Sequence, residues 1–497
     1  MTNTITAPEI STDIKTVMQQ SAKAFDEYKR LPGSAKASFL EEIAAQIELK
    51  REQLVAIANQ ESNLPLARLN GELTRTTNQL KLFAEVIREG SWVEAAIDEA
   101  DGTRTPARPD IRKMLVALGP VVVFGASNFP FAFSTAGGDT ASALAAGCSV
   151  VIKAHPAHAQ TSLLVYEAIQ KAIAASGVPE HTVQHVEGKS NETGKALVQH
   201  PATAGVGFTG SFAGGKALQA YSNEREKPVP VFAEMSSINP VVFYPAALQS
   251  NAAALAQQYA GSITLGMGQF CTNPGLLLAV KGQALDNFLA LLSTEIKKVT
   301  PQKMLHSGIC QAYNKGLHEM LEEKGIDVLA QSEQKPEGLE AYPTLAKVSA
   351  ATFLDIPHFK EELFGPFSLV IECSDMDELK QVLLSLHGQL TTTAMATQDD
   401  LSSYADVLEL QKTLAGRIII NAAPTGVEVC AAMVHGGPYP ATTDARFTSV
   451  GTSAIKRWAR PLCFQGFPDA LLPPELQQAN PLGIVRIFNN KYVAPAK

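Results

Sequence analysis

Apolar residues recur with helical spacing through the first ninety positions. Ile14, Val17, Met18, Ala22 and Phe25 predict a helix over 12–30. Phe39, Leu40, Ile43, Ile47 and Leu54 predict another over 36–60, and a third follows over 67–90. The texture changes at Leu118. Val121-Val-Val-Phe124 is a short apolar run bounded by Gly119-Pro120 and Gly125, and it reads as a buried strand. A helical pattern over 131–146 and a strand at Val150–Lys153 follow. Then come helix 160–176, strand 182–187, helix 191–200, strand 205–209, helix 210–222 and strand 229–235. A second alternating series begins near 240, with strands at 241–243, 276–280, 367–371, 392–396 and 417–421. Helices are predicted over 250–264, 284–298, 375–387 and 398–414. Strands alternating with helices of this length indicate βαβ units. The fold class is therefore α/β, with two consecutive α/β domains built on parallel-type sheets and a boundary near Ser236–Asn239. The tail after about 465 is rich in proline and ends in a strand at Ile484–Phe488. Such a lone strand needs a sheet edge, which another subunit can supply.

A chain of 497 residues suits two or three domains. The net charge of −8 argues against nucleic acid or an anionic membrane as partner. No window of about 18 apolar residues predicts a membrane span, and the polar first 30 residues show no signal peptide. The six cysteines are scattered, without C-x-x-C or zinc spacing, so free thiols in a reducing cytoplasm are expected and no metal site.

Candidate chemistry centres on Gly266-Met-Gly-Gln-Phe-Cys271-Thr-Asn-Pro-Gly275. The three glycines permit positive φ and close approach to a ligand. A cysteine on such a turn can reach an electrophile while its own N–H faces a developing oxyanion; a free Cys in a loop is also often simply buried. Gly205-Val-Gly-Phe-Thr-Gly210 matches G-x-G-x-x-G in the wrong register, because Val206–Thr209 form the strand. Gly210-Ser-Phe-Ala-Gly-Gly215 follows that strand and opens a helix, where free N–H groups suit a pyrophosphate; a turn without ligand has the same look. Lys153 ends a strand at the carboxyl edge, where ligands bind open parallel sheets, or it ends in solvent. Asn128, in Gly125-Ala-Ser-Asn-Phe-Pro130, can donate to an oxyanion or cap its own turn. Glu234 ends Pro230–Met235, and partial desolvation there would suit a general base; the alternative is a surface carboxylate. Glu361-Glu362 precedes Leu363-Phe-Gly-Pro366.

These segments, in this order, resemble the aldehyde dehydrogenase superfamily from about residue 12 to 490. The matching pieces are Asn128-Phe-Pro130, Lys153, Phe208-Thr-Gly-Ser211 with Gly215, Glu234, Gly268-Gln-Phe-Cys271, Glu362-Leu-Phe-Gly-Pro366, Asn421 and His435-Gly-Gly437. The resemblance implies that Cys271 is the nucleophile, that Asn128 and the Cys271 N–H hold the oxyanion, and that Glu234 activates water against a thioester. It implies cofactor contacts from Lys153, Gly210, Ser211, Gly215, Glu362 and Phe364. It further implies a cofactor-binding domain from 1–97 and 118–237, with 441–479 packed on it, and a catalytic domain from 238–440. An element from 98–117 and 480–497 would make a homodimer or homotetramer.

Ile152–His158, Phe232–Pro240 and His435–Arg446 are most similar to the 2-oxoglutarate semialdehyde (2,5-dioxopentanoate) dehydrogenase branch. The expected partner is thus a small-molecule aldehyde, most specifically that semialdehyde. Phe129, Phe133 and Phe270 are expected to wall the substrate pocket, and Arg446 is the motif-linked candidate for the substrate anion. Many NAD-preferring relatives carry a glutamate three residues after the lysine, where this chain has Pro156. That favours NADP, with NAD acceptable and His155 and His158 as weak helpers; an arginine that some NADP-binding relatives carry near Phe212–Ala213 is missing. Alternatives are another semialdehyde or a fatty aldehyde, a CoA-acylating enzyme, against which Glu234 argues, and a non-catalytic family member with a structural or binding role. Read without the family, a cysteine hydrolase is the rival, though no His has a local signature beside Cys271.

Overall fold

The computed structural model describes residues 13–494. Position 12 of the first predicted helix, and the outer ends of the first and last predicted segments (1–12 and 495–497), lie outside the described residues.

Three sheets organise the chain. The first is wholly parallel, in the order Val183–Val186, Val150–Lys153, Val121–Phe124, Gly205–Thr209 and Val231–Glu234. Its central strand is apolar on both faces, as expected of a strand covered by helices on each side. The chain runs outward from Val121–Phe124 in one direction and then the other. Phe124 pairs with Lys153 on one side and Phe208 on the other, so the carboxyl ends at residues 125, 154 and 210 open on one edge at a topological switch point. Helices Gly33–Leu49, Leu66–Glu89, Gly138–Ala146 and Ala159–Ser176 contribute to the core beside this sheet.

The second sheet has the order Asp327–Gln331, Thr344–Ser349, Phe367–Cys373, Leu276–Val280, Val241–Phe243, Gln389–Met395 and Ala415–Ile420. Only its first pair is antiparallel. Two apolar clusters cover its opposite faces, one around Val242, Leu278 and Ile371 and the other around Val241, Leu277 and Val370. Neighbouring residues on a strand point to opposite faces, which is why each strand feeds both.

The third sheet joins distant parts of the sequence. Ala459–Gln465 pairs with Ile111–Ala117, which pairs with Ala96–Asp98; Arg486–Phe488 and Lys491–Val493 complete it. The terminal strand thus finds its sheet edge within its own chain, parallel to Ala96–Asp98, and the short Lys491–Val493 strand is left outermost with Tyr492 82% exposed.

Boundaries differ from the expected ones where local chemistry intervenes. Helix 36–60 divides at Lys50 into Gly33–Leu49 and Arg51–Ser62. Helix 398–414 divides at Tyr404. The helix expected over 131–146 begins only at Gly138. Before it, the chain turns after Pro130, and the buried Glu72 carboxylate accepts the N–H groups of Phe131 and Ala132 at 2.8 and 3.0 Å. Helix Ser307–Leu321 and strands Asp327–Gln331 and Thr344–Ser349 extend the second sheet beyond the elements expected there.

Candidate active site

Cys271 lies on a turn that leaves the short 3-10 segment Leu265–Gly268. Gly266, Met267 and Gly268 take φ values of 54°, 55° and 63° in succession. Met267, not Gly275, is therefore the third left-handed residue of this loop. At Gly268 a side chain is opposed for a second reason: a Cβ would stand 2.1 Å from the Gly365 carbonyl oxygen, so the backbone would have to shift. The turn thus packs directly on the loop that carries Glu362 and Phe364. It is pinned by amides: Asn239 Nδ2 donates to the carbonyls of Cys271 and Asn273 at 2.9 Å each, and Asn273 Nδ2 donates to Gly365 O at 3.2 Å.

Glu234 ends its strand facing this cysteine and is 3% exposed. Ser449 Oγ donates to Glu234 Oε2 at 2.6 Å. His435, fully buried, brings Nε2 to 2.9 Å from Glu234 Oε1 and 3.4 Å from Cys271 Sγ. One imidazole nitrogen therefore stands between thiol and carboxylate, and the sulfur, nitrogen and carboxylate oxygen all lie within 4.8 Å of one another. Burial drives the Glu234 carboxyl upward, but the His435 charge and hydrogen bonds from His435, Ser449 and Cys271 outweigh it and hold the group below its ordinary value. The Cys271 thiol goes the other way. Burial and then the Glu234 charge and hydrogen bond push it well above 9.0, against a small opposing pull from Arg75.

Asn128 is buried on the opposite wall and donates from Nδ2 to Gln269 O at 3.2 Å, which ties its loop to the cysteine turn. Phe129 packs edge-on against Phe133 and Phe270, at 5.3 and 5.7 Å, and Phe133 lies 6.5 Å from the His435 ring. Arg446 is not brought to this cluster. Its guanidinium is 81% exposed and pairs with Asp444 at 2.6 Å, because its backbone lies on a surface turn. Helix Leu66–Glu89 instead presents Arg68 over the rings of Phe129 and Phe270, at 5.0 and 4.7 Å, and Arg75 over Phe133, at 5.4 Å.

An open cleft of about 430 Å3 runs from this centre along the sheet edge. Asn128, Gly210, Ser211, Glu234, Cys271, Glu362 and Phe364 all line it. Ser211 caps helix Phe212–Asn223 by accepting the Gly214 N–H at 3.2 Å, leaving the helix mouth towards the cleft. Gly210 and Gly214 must be bare, since a Cβ at either would meet the Phe208 ring at 2.6 or 2.8 Å, and Gly215 packs under Met235. Burial raises the Glu362 carboxyl to about 7, partly offset by Ser236 and the Ser237 N–H. Lys153 is outside this lining; its Nζ donates to Ala154 O at 3.0 Å, and burial lowers its pKa. His155 and His158 stack on each other, and burial keeps both neutral, lowering His155 to about 3, so they offer no positive charge to a phosphate.

Neither His435 nor Ser449 has a sequence signal tying it to the cysteine chemistry. The motif around His435 is visible, but its approach to a residue 164 positions away is a product of folding. Arg68 and Arg75 are equally silent, as cations on an ordinary amphipathic helix.

Comparison with known proteins identifies the family. The profile of the aldehyde dehydrogenase family matches residues 4–439. The chain is 49% identical to alpha-ketoglutaric semialdehyde dehydrogenase 2 of Azospirillum brasilense and 46% identical to alpha-ketoglutaric semialdehyde dehydrogenase of Acinetobacter baylyi. Each comparison covers 96% of this chain and 91% of the relative. Among solved structures, gamma-glutamyl-gamma-aminobutyraldehyde dehydrogenase of Burkholderia cenocepacia superposes with a TM-score of 0.76 at 20% identity, covering 91% of this chain and 88% of the other. With a family profile spanning most of its length and relatives near half identity over nearly all of it, the chain belongs to the aldehyde dehydrogenase family.

Proposed function

We propose that this enzyme oxidises 2-oxoglutarate semialdehyde to 2-oxoglutarate, with Cys271 as nucleophile, NADP as the favoured acceptor and NAD as an acceptable one. The observation that carries the chemistry is the set of Cys271 Sγ, His435 Nε2 and Glu234 within 4.8 Å at the end of an open cleft. The substrate reading rests on the two relatives at 49% and 46% identity.

Aldehyde addition forms a bond from Cys271 Sγ to the carbonyl carbon and gives a thiohemiacetal. The thiol is held protonated by its surroundings, so its proton must leave as the bond forms; the neutral His435 imidazole, with Nε2 unprotonated, is its acceptor, and the imidazolium so formed is the charged partner that keeps Glu234 ionised. The Asn128 amide and the Cys271 N–H stabilise the oxyanion. NAD(P), when bound, would supply the hydride acceptor for oxidation of this adduct to a thioester on Cys271. Glu234, ionised and oriented by Ser449, then removes a proton from the water that attacks that thioester.

The residues present suit a dinucleotide. A capped helix mouth kept bare of side chains at Gly210 and Gly214 suits the pyrophosphate, and Gly215 lets that helix lie close to its strand. Lys153 would hold the adenosine ribose, Glu362 the nicotinamide ribose and Phe364 the ring. With Pro156 where a ribose-gripping glutamate would repel a 2′-phosphate, Lys153 is left as the local cation, which supports NADP. Segments 1–97 and 118–237 form the cofactor-binding domain in this reading, with 441–479 packed on it, and 238–440 forms the catalytic domain. Segments 98–117 and 480–497 form the surface for a homodimer or homotetramer, a role that suits the exposed outer strand Lys491–Val493. We assign the enzyme to the cytoplasm, consistent with its free thiols; no helix among the described residues is long and apolar enough to cross a membrane.

Initial rates with 2-oxoglutarate semialdehyde, succinate semialdehyde and simple alkanals, each with NADP and NAD, test the reading. We expect the first aldehyde with NADP to give the highest kcat/KM. A higher value for another aldehyde would overturn the substrate assignment, and a preference for NAD would overturn that of the cofactor.

A further inference from the structure

Arg75 is built to hold something. It lies seven residues after Arg68 and three after Glu72 on helix Leu66–Glu89, so the three share one helical side. Its Nε and Nη2 are both buried, and neither has a hydrogen-bond partner among the described residues. These two nitrogens are the side-on edge of the guanidinium, whose parallel N–H bonds match the two oxygens of a carboxylate. Buried charge-bearing donors without acceptors are costly, and folded proteins rarely keep them without a ligand or a reason.

The neighbouring cations are partly committed, each keeping a single buried nitrogen without a partner among the described residues, Arg68 Nη1 and Arg417 Nε. Arg68 gives Nη2 to Asn128 O at 2.8 Å, and Arg417 gives Nη1 and Nη2 to the carbonyls of Gly426 and Pro424 at 2.9 and 2.7 Å. Arg75 alone of the three presents a complete fork. The position is also right. Its guanidinium lies over Phe133, whose ring neighbours His435. Burial lowers its pKa, opposed by the charges of Glu72, Cys271 and Glu234, so the catalytic cysteine and carboxylate are among the groups around it.

We infer that Arg75 binds the carboxylate of the aldehyde substrate, side-on through Nε–H and Nη2–H, and thereby selects ω-aldehydes that carry an anion at the far end. Phe133 lies between this fork and the His435 ring beside Cys271, so a substrate bound over Phe133 would have its anion towards Arg75. The inference rests on the substrate reading above and deepens it, because neither relative's name assigns the residue that reads the acid group. It also replaces Arg446, whose charge is spent on Asp444 at the surface.

The test measures kcat/KM for 2-oxoglutarate semialdehyde and for pentanal, a neutral aldehyde of the same carbon count, in the wild type, Arg75→Gln and Arg75→Lys. The wild type should prefer the anionic aldehyde. In Arg75→Gln the ratio of the two kcat/KM values should fall by about 100-fold, mostly through KM, as expected for losing a charge-assisted bidentate pair. Arg75→Lys, which keeps the charge but not the fork, should recover only part of the ratio. Inhibition by glutarate should weaken in parallel. Thermal melting of each variant separates a misfolded protein from a specific loss, and because each ratio is internal to one preparation, a partly inactive sample still reports. If the wild type prefers the anionic aldehyde and Arg75→Gln keeps that preference, the inference fails and the substrate reading stands. If the wild type shows no preference for the anionic aldehyde, both fail.

Discussion

Replacing His435 by Gln would expose how Cys271 becomes reactive. The Cys271 thiol is held well above 9.0 by burial and by Glu234. Less than about 3% of it would be thiolate at about pH 7.5 without help. His435 Nε2, 3.4 Å from Sγ, is placed to accept the proton, and Glu234 at 2.9 Å stabilises the imidazolium that forms. A glutamine can hydrogen-bond there but cannot take a proton. A positioned general base contributes about 10²- to 10⁴-fold, so kcat/KM should fall by at least about 100-fold. Alkylation of the cofactor-free enzyme by iodoacetamide isolates the first step. In His435→Gln it should slow by a similar factor near neutral pH and rise by about tenfold per pH unit as the thiolate fraction grows. The variant also removes the largest influence holding the Glu234 pKa down, so that carboxylate should titrate at higher pH and the acid limb of kcat should move upward. Alkylation within about twofold of wild type, with the same pH slope, would refute His435 as the proton acceptor.

Glu234→Gln should slow thioester hydrolysis, by about 10²-fold, more than it slows the first turnover, giving a burst of reduced nicotinamide and a slow steady state. A steady-state kcat equal to wild type would count against this role. Gly268→Ala should destabilise the fold by about 3 kcal/mol in urea titration, because it combines a φ of 63° with a Cβ 2.1 Å from Gly365 O; an unchanged midpoint would mean that the turn relaxes freely. Pro156→Glu should weaken NADP relative to NAD by about tenfold in fluorescence titration, and equal weakening of both would show that this turn does not discriminate the 2′-phosphate.

The alternation of short apolar runs with amphipathic helices was legible along the chain because each signal is local. Val121–Phe124, Val150–Lys153 and Gly205–Thr209 stand where the pattern puts them, since a strand buried on both faces must be apolar throughout. The third sheet was not legible apart from its terminal strand. Ile111–Ala117 pairs with Ala459–Gln465 across more than three hundred residues, and the mixed polar pattern of both strands reflects a sheet with one face near solvent. Helix ends were misjudged where a tertiary partner supplied the missing bonds, as Glu72 does for Phe131 and Ala132.

The same division runs through the site. Cys271, Glu234, Asn128 and the Gly210–Gly215 turn could be named from sequence because each needs a particular residue type at a strand end or on a glycine turn, and such turns are locally encoded. The proton path through His435, the orientation of Glu234 by Ser449 and the aim of Arg75 along Phe133 came only with the tertiary structure. Each depends on distance between residues far apart in sequence and on the loss of water around them. Burial turns an ordinary thiol, carboxylate and guanidinium into groups whose charge depends on one another, and no single position in the chain encodes that.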